Sequence, residues 1–273
     1  MSRSLLFRNI GTLAGILPDG VHRLAGRDMQ TPGTLDHAYL LTVDGRIAGF
    51  GPDADCPIER ADEIIDASGR LLLPAWCDSH THLVFASWRE GEFVDRLHGM
   101  TYEEIAARGG GILNSATRLQ DADEDALFDT ALERLYEVRG MGTGAIEIKS
   151  GYGLTPDSEI KMLRVIRRLK GENLIPVKAT FLGAHAIPAA YRADRPGYIR
   201  QLIGDMLPRI AAEGLADYID VFCDQGFFTV EETDQILGVG GLLVLGFTAG
   251  FCGCSFLGRL GGGLLGGCHS HAP

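Results

Sequence analysis

Short apolar runs alternate with amphipathic segments along the chain from residue 74 to residue 237. Runs of roughly 4–8 residues that are rich in β-branched and other apolar side chains have the length of buried strands. After a first run at residues 71–77, they occupy residues 145–149, 176–182 and 218–223. Between the runs, apolar residues recur at helical spacing, as in Ile160, Leu163 and Ile166. Four strand and helix units in succession predict a parallel α/β fold.

The helical segments carry start signals that support this interpretation. The candidate signals are Asp121 or Asp123, Thr155 followed by Pro156, and Thr229 with Glu232 as a capping box. A further helix over residues 197–212 contains Pro208. Because proline lacks an N–H donor and clashes with the preceding turn, we expect this helix to kink or divide there.

The first 73 residues have a different pattern, with short strands and no long helical segment. Residues 39–43 and 46–50 flank Asp44 and Gly45, a pair that favours a two-residue type I′ hairpin. Residues 63–66 predict another short strand. No His, Cys or carboxylate cluster with ligand spacing occurs here, so we assign this part a structural role as a small β-sandwich-like domain.

A His-x-His pair follows the first apolar run. Leu71 to Leu73 lead through Pro74 to His80 and His82, which predicts a buried strand with a polar tip. Side chains at i and i+2 of a strand point to one face, so the two imidazoles could bind one metal ion. Two histidines satisfied by ordinary surface or core contacts are the alternative. We favour the metal, because a (β/α)8 barrel presents its chemistry at the C-terminal ends of its strands.

Other polar side chains also come just after predicted strands. They are Lys149, Tyr152, His185 and Asp224. In a barrel these strand ends converge on one mouth, so residues far apart in sequence can share a pocket. Taken singly, each could equally be a solvated charge, a loop aromatic or a neighbour of a helix cap. Their positions in one repeating scheme favour the functional interpretation for the set.

Composition and charge exclude several classes of partner. The 273 residues are 45% hydrophobic and 22% charged, which suffices to bury a core. The net charge is −11 and no basic cluster occurs, so we expect no nucleic acid and no membrane as partners. The N-terminus lacks an apolar signal-peptide region, and the six cysteines lie far apart until the last 25 residues, which suits a reducing compartment, so the protein is expected to be cytoplasmic.

Several longer motifs resemble imidazolonepropionase, a family of the metal-dependent amidohydrolase superfamily. The similarity extends from about residue 5 to residue 237. The motifs are His80-Thr81-His82-Leu83-Val84-Phe85-Ala86, Arg89-Glu90, Tyr102-Glu103-Glu104-Ile105, Gly109-Gly110-Gly111-Ile112, Glu147-Ile148-Lys149-Ser150-Gly151-Tyr152-Gly153-Leu154, Phe181-Leu182-Gly183-Ala184-His185 and Asp220-Val221-Phe222-Cys223. Together they are far more specific than His-x-His alone.

The resemblance implies a partial TIM-type (β/α) barrel and a hydrolase of histidine degradation. Its reaction would open the ring of 4-imidazolone-5-propanoate, a small-molecule substrate, to give N-formimidoyl-L-glutamate. His80 and His82 would be ligands of one zinc or iron ion, Arg89 and Tyr152 would hold the substrate, and His185 would contact the ring as the catalytic and binding histidine, donating to its carbonyl oxygen. Lys149 is left outside the metal site, because the resemblance is to one-metal enzymes. Formation of a homodimer is left open.

The segment 238–273 departs from this pattern. It holds 12 of the 37 glycines and one charged residue, Arg259. The further metal-binding histidine and aspartate that the resemblance implies are not found there, and about 165 residues after Pro74 are too few for a complete barrel, which takes about 250. We therefore expect an out-of-frame or truncated tail, a barrel half present over residues 74–237, and a chain that is inactive as written.

Three other interpretations stay open at this stage. The tail residues Cys252, Cys254, Cys268, His269 and His271 could form a zinc knot, although their spacing is wrong for the usual finger. The chain could be another cyclic-amide hydrolase or a deaminase of the same superfamily. It could also be a non-enzymatic truncated remnant with exposed sheet edges.

Overall fold

The computed structural model of the chain describes residues 3–21, 23–57, 60–101, 104–105, 108, 110–243 and 248–249. The chain divides into two compact units, Met1–Ala75 and Trp76–Pro273. Each unit contains its own sheet.

The first unit is a five-stranded sheet. Its strands are β1 (Ser4–Ile16), β2 (Gly33–Val43), β3 (Arg46–Pro52), β4 (Glu63–Asp66) and β5 (Leu71–Leu72), with short 3-10 turns at Gly26–Gln30 and Asp53–Asp55. β2 pairs antiparallel with β1 and β3, whereas β4 and β5 pair parallel with β1. The predicted strands at residues 39–43, 46–50 and 63–66 are all present.

The predicted hairpin between β2 and β3 is confirmed. Val43 pairs with Arg46, and the two residues between them have positive φ angles of 50° at Asp44 and 74° at Gly45. A type I′ turn requires positive φ at both central residues, which Asp and Gly adopt at little cost. The sequence signal was strong here because it is entirely local.

The second unit is a parallel sheet covered by helices. Its strands are β6 (Trp76–Thr81), β7 (Thr143–Lys149), β8 (Val177–Ala184), β9 (Tyr218–Val221) and β10 (Thr248–Ala249), in the order β10-β9-β8-β7-β6. The helices are α1 (Glu90–Leu97), α2 (Gly111–Asp121), α3 (Glu124–Gly140), α4 (Pro156–Gly171), α5 (Arg195–Gln201), α6 (Leu207–Glu213) and α7 (Val230–Leu243), with a 3-10 turn at Ala189–Tyr191. Consecutive strands lie side by side in sequence order, as the alternating pattern predicted.

The core of this unit lies between the sheet and its helices. The predicted apolar face of α3 is buried through Leu127, Ala131 and Leu135, and that of α4 through Ile160 and Leu163, among others. Each fully buried aliphatic side chain of this size contributes about 1.5–3 kcal/mol relative to exposure. Asp123 and Thr155 accept hydrogen bonds from the first turns of α3 and α4, so both predicted caps are present.

The helix predicted over residues 197–212 is divided, but earlier than Pro208. α5 ends at Gln201, a π-helical turn spans Leu202–Met206, and α6 begins at Leu207. The proline ring at residue 208 cannot donate to the carbonyl of Gly204 and would clash with it. The wider π turn before it gives that carbonyl room, so the irregularity precedes the proline that causes it.

The predicted buried strand that leads to the His-x-His pair is wrong. Leu71 and Leu73 are 60% and 46% exposed, and Trp76 is 64% exposed. Leu71 lies in β5, which belongs to the first sheet, and β6 begins only after Pro74. Among the described strands, β6 is at the edge of its sheet, so its side chains lack a neighbour on one side. Edge position depends on strand order, which the local pattern does not contain.

The segment predicted to be irregular from residue 238 is in part regular. α7 continues to Leu243, and Thr248–Ala249 pairs parallel with Tyr218–Ile219 of β9. The remaining residues, 244–247 and 250–273, lie outside the described part of the chain. Of the helices described, none is both long and apolar enough to cross a membrane.

Candidate functional site

The two histidines of the His-x-His pair lie next to each other. His80 is in β6 and His82 follows the end of that strand. Their ring centroids are 5.7 Å apart, with an angle of 64° between the planes. The prediction that strand geometry brings these two imidazoles together is therefore confirmed.

Two further side chains from neighbouring strands join His82. The ring of His185, just after β8, stacks on His82 with 4.9 Å between centroids and 6° between planes. Tyr152, just after β7, has its ring centroid 4.8 Å from His82 and 5.5 Å from His185. Three consecutive parallel strands thus place four of the predicted site residues in one cluster, as expected for strand ends on one edge of a sheet.

His82 is held neutral and has a ring nitrogen without a partner. Burial, together with the nearby charges of His185, His80 and Lys149, lowers its pKa to about 3. Its Nδ1 atom is buried and makes no hydrogen bond within the described structure. A neutral imidazole nitrogen that is buried without a donor is suited to bind a cation, since a buried polar atom rarely stays unpaired.

The ring of His185 is fixed through its Nδ1 atom. Nδ1 lies 3.0 Å from the carbonyl oxygen of Gly151. A carbonyl oxygen can only accept, so Nδ1 carries the hydrogen and donates. Burial lowers the pKa of His185, although the bond to Gly151 opposes this change. Neutral His185 therefore has its lone pair on Nε2.

Gly151 can approach His185 only because it has no side chain. Its φ angle is +109°, and a Cβ there would lie 2.9 Å from His185 Nδ1 and 2.9 Å from the carbonyl oxygen of Leu182. A residue with a side chain would be strained in this backbone conformation and would also collide with the imidazole. Gly151, in the motif that carries Tyr152, is thus required by the position of His185.

Lys149 takes part in a buried polar network and pairs with two carboxylates. Its Nζ atom lies 2.7 Å from Glu147 Oε1 and 3.0 Å from Asp220 Oδ2. The hydroxyl of Thr180 in β8 also donates to Glu147. Burial lowers the pKa of Lys149, but the two carboxylates more than offset this, so its pKa is raised overall. The lysine therefore stays charged.

Arg89 lies close enough to influence the cluster electrostatically. It is at the N-terminal boundary of α1 and contacts Glu92 at 3.4 Å, with its side chain 38% exposed. Its positive charge contributes to lowering the pKa of His185. Arg89 also lines a cavity of about 260 Å³ together with Glu92, Asn114 and Arg118. The carboxylate of Asp224 has a local contact instead. It accepts a hydrogen bond from the N–H of Gln225 in the turn after β9.

Three acidic residues near this site have contacts that the sequence did not reveal. Glu147 and Asp220 pair with Lys149, and Glu159 is completely buried beneath the loop that carries Tyr152. A charged residue within an apolar strand, as at Asp220, was the available signal. Of the motif residues, Tyr102, Glu103 and Gly109 lie outside the described residues, as do the tail cysteines and histidines proposed for a zinc knot.

A complete metal site is not formed by the described residues. Within them, no group of three His, Cys, Asp or Glu side chains is arranged to hold a metal ion. The two neighbouring imidazoles of His80 and His82 are two ligands at most. Zinc sites in proteins use three or four protein ligands, so two imidazoles alone would not complete one.

Curated proteins of known name show extensive similarity to this chain. It is 52% identical over 235 residues to the imidazolonepropionase of Flavobacterium johnsoniae, covering 86% of this chain and 57% of that protein. It is 49% identical over 234 residues to the imidazolonepropionase of Christiangramia forsetii, again covering 57% of the relative. The chain thus spans a little over half the length of the relatives it matches. No protein-family model matches it.

Solved structures with similar folds include a triazine hydrolase and a guanine deaminase. Triazine hydrolase from Arthobacter aurescens superposes with a TM-score of 0.59 at 16% identity, covering 90% of this chain and 52% of that one. E. coli guanine deaminase superposes with a TM-score of 0.58 at 11% identity, covering 91% and 52%. At these identities the likeness concerns the fold alone, and it confirms the predicted partial (β/α) barrel with a small N-terminal strand unit.

Proposed function

We propose, from the premise that this chain is homologous to imidazolonepropionases over 86% of its length, that it carries the first part of such a hydrolase. The reaction would convert 4-imidazolone-5-propanoate and water to N-formimidoyl-L-glutamate, a step of histidine degradation. The observation that carries the proposal is the cluster of His80, His82, Tyr152 and His185 at adjacent strand ends. These are the residues that the sequence motifs singled out.

His80 and His82 would hold the metal ion, zinc or iron. The unpaired Nδ1 of His82 supports this assignment, as does the neutral state that burial imposes on the ring. When bound, a divalent ion acts as a Lewis acid that polarises a carbonyl and makes water more acidic. The remaining ligands are not assigned to residues of the described part of the chain.

His185 is proposed to accept a hydrogen bond from the substrate ring. The resemblance implied that His185 donates to the ring carbonyl, but its Nδ1–H already donates to the carbonyl oxygen of Gly151. In the neutral ring only Nε2 is free, and it carries a lone pair. It would therefore accept from a ring N–H and hold the amide in position while the oxygen of water joins the carbonyl carbon, the C–N bond breaks and the released nitrogen takes up a proton from that water.

Arg89 and Tyr152 are proposed to hold the substrate tail and ring. The guanidinium of Arg89 offers a planar fork that matches the propanoate carboxylate. The distance from its guanidinium to the carboxylate of Glu92 is long, at 3.4 Å. Replacing this contact by one to a substrate carboxylate would therefore cost little binding energy. The ring of Tyr152 beside His82 and His185 gives a flat surface against which the imidazolone ring could pack.

The three parts of the chain are proposed to have different roles. Residues 1–73 would form a structural domain, residues 74–237 the catalytic half-barrel and residues 238–273 an aberrant tail. The out-of-frame origin of the tail stays a prediction, as does inactivity of the chain as written. Reading the two other frames past codon 237 tests the first: neither frame encoding a histidine-bearing strand and a later aspartate would contradict it.

The proposed function is tested by zinc binding and by turnover. The chain is compared with a chimera in which the segment after residue 237 is replaced by the corresponding C-terminal part of the Flavobacterium johnsoniae relative. We expect the chimera to bind zinc and to hydrolyse imidazolonepropanoate, with the 273-residue chain far slower. In the chimera, His82→Asn should abolish zinc binding, whereas His98→Asn, an exposed histidine after α1, should not.

The choice of substrates separates this proposal from its alternatives. Imidazolonepropanoate is tested beside a cyclic amide without the carboxylate tail and beside an aminopurine. A chimera that binds zinc and turns over only the latter two would contradict the proposed substrate and favour another cyclic-amide hydrolase or a deaminase. A chimera that folds without binding either zinc or iron would contradict the metal assignment.

A further inference from the structure

Glu159 is a completely buried carboxylate in the first turn of α4. It is not the cap of its own helix, because Thr155 accepts the hydrogen bond from Ser158 N and so occupies that role. Burial raises the pKa of Glu159 overall, although hydrogen bonds from its neighbours partly offset this change. A carboxylate is costly to bury, so its hydrogen-bond partners indicate what it does.

The partners of Glu159 all belong to the loop that follows β7. Its Oε2 accepts from Gly151 N at 2.9 Å, and its Oε1 accepts from Gly153 N at 2.8 Å and from Leu154 N at 2.9 Å. The hydroxyl of Ser150 also bonds to it. One carboxylate thus binds backbone N–H groups on both sides of Tyr152.

The same loop orients His185. The N–H of Gly151 is held by Glu159, and its carbonyl oxygen accepts from His185 Nδ1 at 3.0 Å. The φ angle of +109° at Gly151 is what directs these two groups of one residue to different partners. Ser150 adds a second connection, since its hydroxyl oxygen accepts from Leu182 N in β8, the strand that leads to His185.

We propose that Glu159 is a positioning residue, which fixes the 150–154 loop so that the Gly151 carbonyl holds His185 in the Nδ1–H form with Nε2 free. The inference rests on the proposed function only for the use of that free Nε2, not for the geometry that fixes it. Glu159 acts on His185 indirectly, through the backbone of Gly151.

A merely structural role would predict something different. A carboxylate that only stabilised α4 or the core would, when replaced, lower stability without changing which nitrogen of His185 is protonated. In Glu159→Gln the side chain keeps its shape, but its amide NH2 faces a backbone N–H in place of an acceptor oxygen. The loop must then shift, and the Gly151 carbonyl shifts with it.

Long-range 1H–15N correlation spectra show directly which ring nitrogen of His185 is protonated. They are recorded on the 15N-histidine-labelled chain in the presence of a chelator. The His185 signals are identified by their loss in His185→Asn. We expect a single Nδ1–H form in the unaltered chain and a substantial Nε2–H population in Glu159→Gln. The matched control is Glu213→Gln, which weakens the ion pair that Glu213 forms with Arg164 of α4 and should leave His185 in the Nδ1–H form.

A folded Glu159→Gln variant with His185 still entirely Nδ1–H would overturn the proposal. Should that variant fail to fold, Glu159→Asp takes its place, because the shorter side chain keeps the carboxylate but cannot reach the N–H groups of Gly151, Gly153 and Leu154 together. Some Nε2–H form is then expected, and none would again overturn the proposal. The readout needs no substrate, so a chimera that fails to hydrolyse imidazolonepropanoate would count against the proposed function alone.

Discussion

The ammonium group of Lys149 in β7 lies 3.0 Å from Oδ2 of Asp220 in β9, and both residues are buried. β8 stands between these strands, so the ion pair passes over it. Thr180 of β8 joins the same network through Glu147. Two carboxylates share one lysine, and the three central strands near the histidine cluster are thereby fixed to one another.

Replacing Lys149 by Met should destabilise the second unit strongly. Asp220, which is buried, and Glu147, whose side chain is 14% exposed, would lose the lysine they share, and breaking a buried pair in this way costs about 3–5 kcal/mol. Chemical unfolding at neutral pH measures the change. The control is Lys178→Met, whose exposed pair with Asp217 should be worth about 1 kcal/mol or less. A loss of similar size in both variants would contradict the importance of the buried network.

The same network gives an expected dependence on alkaline pH. The pKa of Lys149 is raised in the folded protein, so its stabilising contribution is complete below the unfolded pKa of about 10.4. The contribution is lost as pH rises through the folded pKa. The difference in stability between the unaltered chain and Lys149→Met should therefore be constant near neutrality and shrink only at strongly alkaline pH.

Gly151→Ala should lower stability through strain beside His185. The φ angle of +109° and the 2.9 Å separation that a Cβ would have from Nδ1 together require the loop or the imidazole to move. Such backbone strain costs about 1–3 kcal/mol. The control is Gly140→Ala at the end of α3, where a Cβ meets nothing within 4 Å and helix propensity favours alanine by up to about 1 kcal/mol. Equal unfolding midpoints for the two variants would contradict this account.

What the sequence predicted well depended on local signals. The Asp44 and Gly45 turn, the Thr155 cap with Pro156, and the apolar face of α4 each follow from residues within one turn or one helix. The convergence of His82, Tyr152 and His185 also followed, because parallel strands end on the same edge whatever their side chains.

What the sequence did not predict depended on distant partners. Nothing in the pattern around Glu159 shows that its carboxylate turns back to the N–H groups of the preceding loop. The pairing of Lys149 with Asp220 joins residues 71 positions apart. The exposure of β6 follows from strand order. The π turn before Pro208 follows from how the helix accommodates the N–H donor that proline lacks.

Asp217→Asn should change how stability depends on acid pH. Burial alone would raise the pKa of Asp217, but hydrogen bonds from Ala179 N, Lys170 and Lys178 lower it overall. A lowered folded pKa gives stability that is present above the unfolded value of about 3.9 and is lost as pH falls through the folded value. The variant should be less stable by about 1–2 kcal/mol at neutral pH, and the difference should disappear in strong acid.

Unfolding of both forms from neutral to about pH 3 tests this expectation. The control is Asp205→Asn on the π turn, whose longer pair with Arg209 is exposed, so that the change should stay within about 0.5 kcal/mol at every pH. A constant difference between Asp217→Asn and the unaltered chain down to the lowest pH would show that the carboxylate charge is not responsible.

Arg89→Lys tests the substrate-holding role proposed for this arginine, measured in the chimera with imidazolonepropanoate. A lysine keeps the positive charge but loses the planar fork that binds a carboxylate through two parallel hydrogen bonds. Because the propanoate tail is remote from the bond that breaks, the lost contact affects substrate and transition state alike, and KM should rise while kcat stays nearly constant. Loss of about 1.4 kcal/mol corresponds to a tenfold rise in KM. Arg96→Lys on the same helix, α1, is the matched control and should leave both constants unchanged. A fall in kcat at constant KM would place Arg89 at the reacting atoms and not at the substrate tail.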